Sequence, residues 1–280
     1  MTSPSQVPVR FPSGVTTDYP WGPFANNGSG DPFLYQQLYD DMMGPVASND
    51  NFKAVTSGTG ASVLEVAGDG GQWELTSSSS GAGTAGIIGN INNFFLPPAL
   101  YTGTGLTSTL YPSKKVFFAT RINVTTVAGA TIYAGLVPAA TTTALPTDGI
   151  FFAITSATAG VLEAYSGSTL LWSVTIPMAT LSNGIAYGNA QWLDLAIYMD
   201  RLQNVYAFAG FPLFGWLPPS AWTGLNNVNA APGPLGAIAA YQTGVSGAWT
   251  PTTNGLTPAV ILDATALTCY VDFLYGAKER

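Results

Sequence analysis

The chain has 280 residues, of which 47% are hydrophobic and only 8% are charged, whereas about 25% of an ordinary globular protein is charged. It contains no histidine and one cysteine, and its formal net charge is −7 from 15 acidic and 8 basic residues. This composition excludes a disordered chain and an intrachain disulfide. Because no basic residues are clustered, it also argues against nucleic-acid binding. We expect a protein that acts as a structural or binding surface.

Residues 1–30 are predicted to form an extended arm. The segment contains five prolines, which are incompatible with a helix interior or a central strand. It is nevertheless too apolar for a simple linker, so we expect it to dock on a partner. The side chains predicted to make that contact are Val7, Val9, Arg10, Phe11, Tyr19, Trp21 and Phe24. A disordered tail is the alternative, because chain termini are often loose.

Residues 33–43 are the best helix candidate in the chain. They show a weak repeat of 3.6 residues, and the pair Gly44-Pro45 would end the helix. A strand that leads into the first sheet is the alternative.

From about residue 52 onward, apolar and polar residues alternate as they do in half-buried strands. The glycine-rich stretch at 68–71 predicts a hairpin between strands 62–68 and 72–76. Further strands are predicted at 116–124, 131–137, 149–155, 161–165, 169–176, 192–200, 205–211 and 267–275. Short strands separated by turns, without strand–helix alternation, predict an all-β sandwich or barrel over residues 31–280.

Two long segments interrupt this pattern, at residues 81–112 and 211–257. Both are rich in proline and aromatic residues, which argues against disorder, and long neutral loops of this kind are typical docking surfaces. In the second segment, Trp216, Trp222 and Trp249 are the predicted oligomer interface, because a monomer would expose too large an apolar patch. Loops that cap the ends of the sandwich are the alternative.

The residue types needed for most catalysis are missing. Without histidine there is no Ser–His–Asp or Cys–His arrangement, and a zinc site would need histidine or clustered cysteine. No nucleotide-binding glycine loop is present, and the oxygen-rich turn at 48–51 lacks the spaced carboxylates of a calcium loop. We therefore predict no enzyme activity, no cofactor and no metal. Cys269 lies in an apolar run and is expected to be a buried, inert thiol.

A glycosidase is the one enzyme class that the composition leaves open, since it needs only two carboxylates about 5–9 Å apart. Glu65 and Glu74 lie on the two arms of the predicted hairpin and would be such a pair if they faced one another. Two plain polar residues on a hairpin are the favoured interpretation.

Two further carboxylates, Asp194 and Asp200, share a predicted strand face with Trp192 and Tyr198. Carboxylates beside aromatic rings can form a platform for a sugar. They also form an ordinary sheet surface beneath a neighbouring subunit, which is the favoured interpretation.

Several short stretches resemble a group of tailed-bacteriophage virion proteins. They are FPSGV at 11–15, YDD at 39–41, GDGGQWEL at 68–75, KVFFATR at 115–121, GLV at 135–137, TDGIFF at 147–152, VDF at 271–273 and the basic final residue, Arg280. The resemblance spans most of the chain and carries no catalytic residues. The loops at 81–112 and 211–257 depart from the family pattern and leave a tail or fibre position open.

The resemblance implies a jelly-roll or concanavalin-like antiparallel sandwich that decorates the outside of a phage head. Such a decoration, or cement, protein is made in the bacterial host cytoplasm and binds the outer surface of the major capsid shell, which it stabilises. Its partners would be the major capsid protein and itself, as a homodimer or homotrimer, without nucleic acid or membrane. The alternative is a lectin-like head or tail fibre module that binds a host glycan.

Overall fold

In a computed structural model, residues 35–40, 51–66, 71–90, 116–124, 129–138, 145–155, 160–166, 168–176, 192–199, 204–211, 215–217, 239–240 and 256–279 are described. Every regular element within these ranges is a β-strand. They contain no helix of the length and apolarity that crossing a membrane would require.

The strands are, in chain order, β1 Tyr35–Asp40, β2 Phe52–Ser57, β3 Ser62–Val66, β4 Gln72–Thr76, β5 Gly83–Gly89, β6 Val116–Val124, β7 Thr131–Pro138, β8 Gly149–Ile154, β9 Gly160–Ser166, β10 Thr169–Ile176, β11 Trp192–Met199, β12 Asn204–Phe211, β13 Gly215–Leu217, β14 Ala239–Ala240, β15 Leu256–Ala264 and β16 Thr268–Glu279.

These strands form two antiparallel sheets. The nine-stranded sheet has the order β13-β12-β11-β6-β16-β4-β3, with β1 also paired to β16 and β14 to β12. The seven-stranded sheet has the order β10-β9-β8-β7-β15-β5-β2. One cluster of buried apolar side chains draws on both sheets and includes Trp73, Phe118 and Phe152. This arrangement confirms the predicted fold class, an antiparallel β-sandwich.

The alternating strands were predictable because one of their faces lies in the shared core. In β6, the side chains of Val116, Phe118, Ile122 and Val124 enter the core, as the sequence pattern predicts. The predicted hairpin is also confirmed, since β3 and β4 pair with Ser62 opposite Thr76 and Val66 opposite Gln72.

Two interior strands of the seven-stranded sheet were not predicted from the sequence. β5 falls within the predicted insertion at 81–112, and β15 begins at the end of the predicted loop at 211–257. Every residue of β5 is buried, and so is almost every residue of β15. Burial on both faces removes the alternation, as it also does in β7 and β8. The missed strands also carry residues typical of loops, since β5 (GTAGIIG) is rich in glycine and β15 (LTPAVILDA) contains a proline. The short strands β13 and β14 also lie within 211–257.

The predicted helix at 33–43 is wrong, and its alternative, a strand, is what the structure shows. β1 pairs antiparallel with the last part of β16, from Tyr35 opposite Glu279 to Asp40 opposite Leu274. A weak helical pattern cannot compete with a ladder of backbone hydrogen bonds along a long neighbouring strand, because tertiary pairing overrides local propensity.

A β-bulge in β16 shifts its alternation midway. The register against β6 skips a residue between Val271 and Phe273. Cys269 and Val271 therefore enter the core before the bulge, and Leu274 enters it afterwards. Strict alternation from Cys269 and Val271 would place Phe273 in the core, but Phe273 lies opposite Arg121 on the outer face. A bulge places two residues against one and so re-aims the side chains that follow it.

Hydrogen bonds of two serines join the segments in which the chain passes from one sheet to the other. The Ser77 hydroxyl donates to the Leu267 carbonyl at 3.1 Å and accepts from the Leu267 N–H at 3.0 Å. The Ala266 N–H donates to the Ser78 carbonyl at 2.7 Å. These bonds join the β4–β5 crossing to the β15–β16 crossing, so buried backbone groups remain paired where the strands leave their ladders.

Candidate functional site

A buried ion network lies on the outer face of the nine-stranded sheet. Arg121 on β6 stands directly opposite Asp194 on β11. Its Nε donates to Asp194 Oδ1 at 2.6 Å and its Nη2 donates to Oδ2 at 3.1 Å, which is a bidentate pair. Its Nη1 lies 3.6 Å from Asp272 Oδ2. The bulge in β16 produces this second contact, because Asp272 is the residue that the register skips.

The network is shielded from water. The side chains of Arg121 and Asp194 are 11% and 4% exposed, and that of Asp272 is 9% exposed. Burial raises the pKa of Asp194, while its hydrogen bonds to Arg121 and the guanidinium charge oppose that rise. One cation and two carboxylates make a site of net negative charge if all three are ionised.

Small and aromatic residues enclose the network. Ala119 and Ala196 stand opposite each other on the next row of the sheet, and both are buried. Beyond them, the rings of Phe117 and Tyr275 meet edge to face with centroids 5.5 Å apart. Asp194 is therefore not a solvent-facing carboxylate beside aromatic rings, as a sugar platform at this position would require.

The outer face of the seven-stranded sheet carries a row of aromatic rings across neighbouring strands. Phe151 on β8 packs edge to face with Tyr133 on β7, with centroids 5.6 Å apart. On its other side it stacks on Tyr165 of β9 at 5.7 Å, with the planes 8° apart. Phe151 is fully buried and Tyr133 is nearly so, whereas Tyr165 is half-buried. The row therefore becomes accessible only towards the β10 side of the sheet.

Carboxylates lie on either side of this aromatic row. Glu163 is paired with Phe151, and Asp263 is paired with Thr131. Burial raises the pKa of both carboxyl groups. The pKa of Tyr133 is raised to about 12 by burial first and then by the charges of Asp263 and Glu163. This electrostatic environment disfavours ionisation of all three groups.

Neither Arg121 nor Glu163 is recognisable as a site residue from the sequence. In both cases the available signal was a lone charged residue within an otherwise apolar strand, in VFFATRINV and GVLEAYS. The partner of Arg121 lies on β11, a strand distant in sequence. Glu163 pairs with neighbouring strands, but the pattern alone does not give the register that places it opposite Phe151.

The two glutamates of the predicted hairpin do not face one another. Glu65 lies opposite Trp73, and Glu74 lies opposite Leu64. Cross-strand partners share a face and successive residues alternate, so Glu65 and Glu74 point to opposite faces of the sheet. Glu74 instead accepts a hydrogen bond from the Thr76 hydroxyl at 3.1 Å and lies opposite Tyr270. The hypothesis of a carboxylate pair at these positions is wrong.

Most of the predicted contact residues lie outside the described ranges. This applies to the arm residues Val7, Val9, Arg10, Phe11, Tyr19, Trp21 and Phe24, and to Asp200, Trp222 and Trp249. Trp216 lies in β13, where its backbone pairs with Gly210.

Cys269 is buried, as predicted, and burial raises the pKa of its thiol to about 12. Within the described part of the chain, no three metal-ligating side chains come together.

No family model matches this chain, and no curated protein matches it. Among solved structures, a protein of unknown function from Shewanella oneidensis MR-1 is 11% identical and matches 88% of this chain and 87% of its own with a TM-score of 0.53. Peanut lectin in complex with a nine-residue peptide matches 87% of this chain and 97% of its own, at 7% identity and a TM-score of 0.47. Basic winged bean lectin with Tn-antigen matches 87% and 98%, at 10% identity and a TM-score of 0.48. Only the first likeness is close enough to bear on this chain, and it supports the sandwich fold alone.

Proposed function

We propose that this protein is a non-enzymatic structural protein of a bacteriophage virion, which decorates the outer surface of the major capsid shell and stabilises the head. The proposal starts from the resemblance of the short sequence stretches to virion proteins. It also fits a chain with very few charges, because a neutral surface loses little hydration when another protein covers it.

The observation that carries the proposal is that the outer faces of both sheets are apolar at their centres. On the seven-stranded sheet, a separate buried cluster contains Ile88, Tyr133, Val137, Phe151, Ala153, Ala259 and Ile261, all from that sheet. On the nine-stranded sheet, Phe117, Phe273 and Tyr275 are buried around the Arg121 network. An antiparallel sheet that faces water carries polar residues on that side. Because these residues are already buried within the single chain, a partner that covers either sheet would have few charged groups to desolvate.

Three of the described carboxylates give further support to a non-enzymatic role. Glu65 and Glu74 point to opposite faces, and Asp194 is held by Arg121. Hydrolysis of a glycoside by the usual route needs two carboxyl groups that flank one bond, and these residues do not supply them.

The test is binding to expanded heads, free of decoration, of the phage that encodes the chain. The full chain should co-sediment with the heads and raise the temperature at which they release DNA. Replacing Phe11, Trp21 and Phe24 together by serine should abolish loading, because these arm residues are the proposed anchor. Leu64→Ser is the matched control, since Leu64 is 55% exposed on β3 and lies outside the arm.

Two results would contradict this assignment. If the full chain fails to bind heads of its own phage, the decoration role is wrong. If the arm variant loads as well as the unchanged chain, the arm is not the anchor, and the loop that carries Trp222 and Trp249 becomes the next candidate.

A second candidate function, glycan binding, is favoured by one observation. At the β10 side of the seven-stranded sheet, half-buried Tyr165 lies beside Leu170, which is 46% exposed, and near the carboxylate of Glu163. An aromatic face beside a hydrogen-bond acceptor can hold a sugar. A glycan array would reveal such binding. Tyr165→Ala should then reduce it at least tenfold, whereas Leu64→Ala on the other sheet should leave it unchanged.

A further inference from the structure

The strand β10 forms one edge of the seven-stranded sheet. Within the described part of the chain it pairs only with β9. Its sequence, TLLWSVTI, contains no charged residue and no proline. The opposite edge strand, β2, carries Lys53, and β3 at an edge of the other sheet carries Glu65. Charged residues and proline are the usual means of preventing an edge strand from pairing with another chain, and β10 has neither.

We propose that β10 pairs antiparallel with β10 of a second copy of this chain, so that the two seven-stranded sheets become one continuous sheet across a twofold axis. The backbone groups of each strand that point away from β9 would then bond to those of the other. This interface is additional to the proposed capsid contact and does not depend on it.

The side chains of β10 specify the register of this pairing. A bulge at Leu171 interrupts the ladder to β9, but the strand is regular from Trp172 to Ile176. Trp172, Val174 and Ile176 lie in the shared core. Ser173 and Thr175 are half-buried and point to the outer face, where they pair with Glu163 and Val161 of β9.

A twofold axis through Val174 keeps the core-facing side chains on one face of the joined sheet and the outward-facing side chains on the other. It places Trp172 of one copy opposite Ile176 of the other, and Val174 opposite its own equivalent, so that core residues meet core residues. On the outer face it places Ser173 opposite Thr175, so that a hydroxyl meets a hydroxyl. Matched pairs of this kind are the unit of sheet stabilisation, and a slip by one residue would move every side chain to the wrong face.

This pattern favours a second copy over an unrelated partner. Another protein would have to present an uncharged strand with the same alternation, whereas a copy of β10 provides it by symmetry. The contact also places no ionised side chain of β10 against its own equivalent, although the chain carries a net charge of −7.

The first experiment measures the molar mass of the full chain in solution by light scattering. The unchanged protein should be a dimer at micromolar concentration. Ser173→Lys with Thr175→Lys should yield a folded monomer, because a lysine of one copy would stand directly opposite a lysine of the other. The matched control is Ala54→Lys with Thr56→Lys on β2, where both residues are exposed at the opposite edge of the same sheet, and it should remain a dimer.

A strictly monomeric unchanged protein would overturn the proposal, and so would a dimer that persists in the β10 lysine variant. A dimer that dissociates only when Trp216, Trp222 and Trp249 are replaced by alanine would also overturn it and would place the interface in that loop. A circular dichroism spectrum of strand type for each variant distinguishes dissociation from unfolding.

The second experiment tests the register. With Ser173→Cys and Thr175→Cys in one chain, each cysteine would lie directly opposite its partner in the other copy, at the ~5 Å spacing of paired strands. Mild oxidation with oxidised glutathione should then join the copies through disulfides. Ser173→Cys alone should not cross-link, because the two equivalent residues would be diagonal, at about 7–8 Å, beyond disulfide reach. Cross-linking by the single variant and not by the double variant would overturn the register.

Discussion

Arg121 and Asp194 stand directly opposite each other on β6 and β11, and two parallel hydrogen bonds of 2.6 and 3.1 Å join their side chains. In a chain with so few charges, both members of this pair are buried on the outer face of a sheet, and Asp272 joins them from a bulge. Together the three residues link three neighbouring strands, because β6 lies between β11 and β16.

Replacing Arg121 by methionine should destabilise the protein strongly. The variant leaves the carboxyl groups of Asp194 and Asp272 buried without their cation, and breaking a buried pair in this way costs about 3–5 kcal/mol. Urea unfolding followed by tryptophan fluorescence measures the change in the free energy of unfolding. Lys53→Met is the matched control, because Lys53 is half-buried on an edge strand and should change stability by less than about 0.5 kcal/mol. An Arg121→Met change as mild as the control would show that the network contributes nothing.

Replacing Gly149 by alanine should prevent stable folding. This residue has φ +120°, and an added Cβ would lie 2.0 Å from the Leu136 carbonyl oxygen, which belongs to the neighbouring strand. We expect a loss of more than about 4 kcal/mol. Gly81→Ala is the control that measures the cost of a positive φ without a steric clash. Gly81 has φ +73°, but nothing lies within 4 Å of the added Cβ. That control should lose only about 1–2 kcal/mol. Equal melting temperatures for the two variants would contradict the prediction.

Replacing Glu163 by glutamine should stabilise the protein at neutral pH. Burial raises the pKa of this carboxyl in the folded state, so the folded protein holds the proton more tightly than the unfolded chain. The ionised form therefore costs stability, and that cost appears as the pH rises through the folded-state pKa. The variant should unfold at higher urea than the unchanged protein at pH 7, and the difference should vanish at acid pH.

The control for this pH dependence is Glu65→Gln, since Glu65 is exposed on β3. It should leave the urea midpoint nearly unchanged at pH 7. A Glu163→Gln variant that is less stable at neutral pH would show that the carboxylate makes a favourable contact in its ionised form.

Cys269 should be unreactive in the folded protein. Its thiol is fully buried, and burial raises its pKa to about 12, so almost no thiolate is present at pH 8. A chromogenic disulfide reagent should label no thiol in buffer and one thiol per chain after unfolding in guanidinium chloride. Labelling in buffer at a rate faster than global unfolding would contradict this expectation.

The amino-acid sequence by itself determined the fold class and the strands that have one face in the core. Alternation is visible in β6 and β11 because side chains such as Phe118 and Leu195 face the core while Arg121 and Asp194 face outward. The lack of histidine limits the available chemistry whatever fold the chain adopts. The isolation of Cys269 in an apolar run was likewise enough to predict its burial.

Only the tertiary structure decided which distant residues meet. β5 and β15 are buried on both faces and contain glycine or proline, so the sequence did not mark them as strands. β1 is a strand because it pairs with β16. The bulge in β16 changed the face of Phe273 and brought Asp272 to Arg121, although no local pattern marks it. Alternation of side chains along a strand shows only that one face of that strand is buried. Register and bulges depend instead on pairing between strands that are far apart in the chain. For that physical reason the Glu65–Glu74 hypothesis failed and the Arg121–Asp194 pair could not be foreseen.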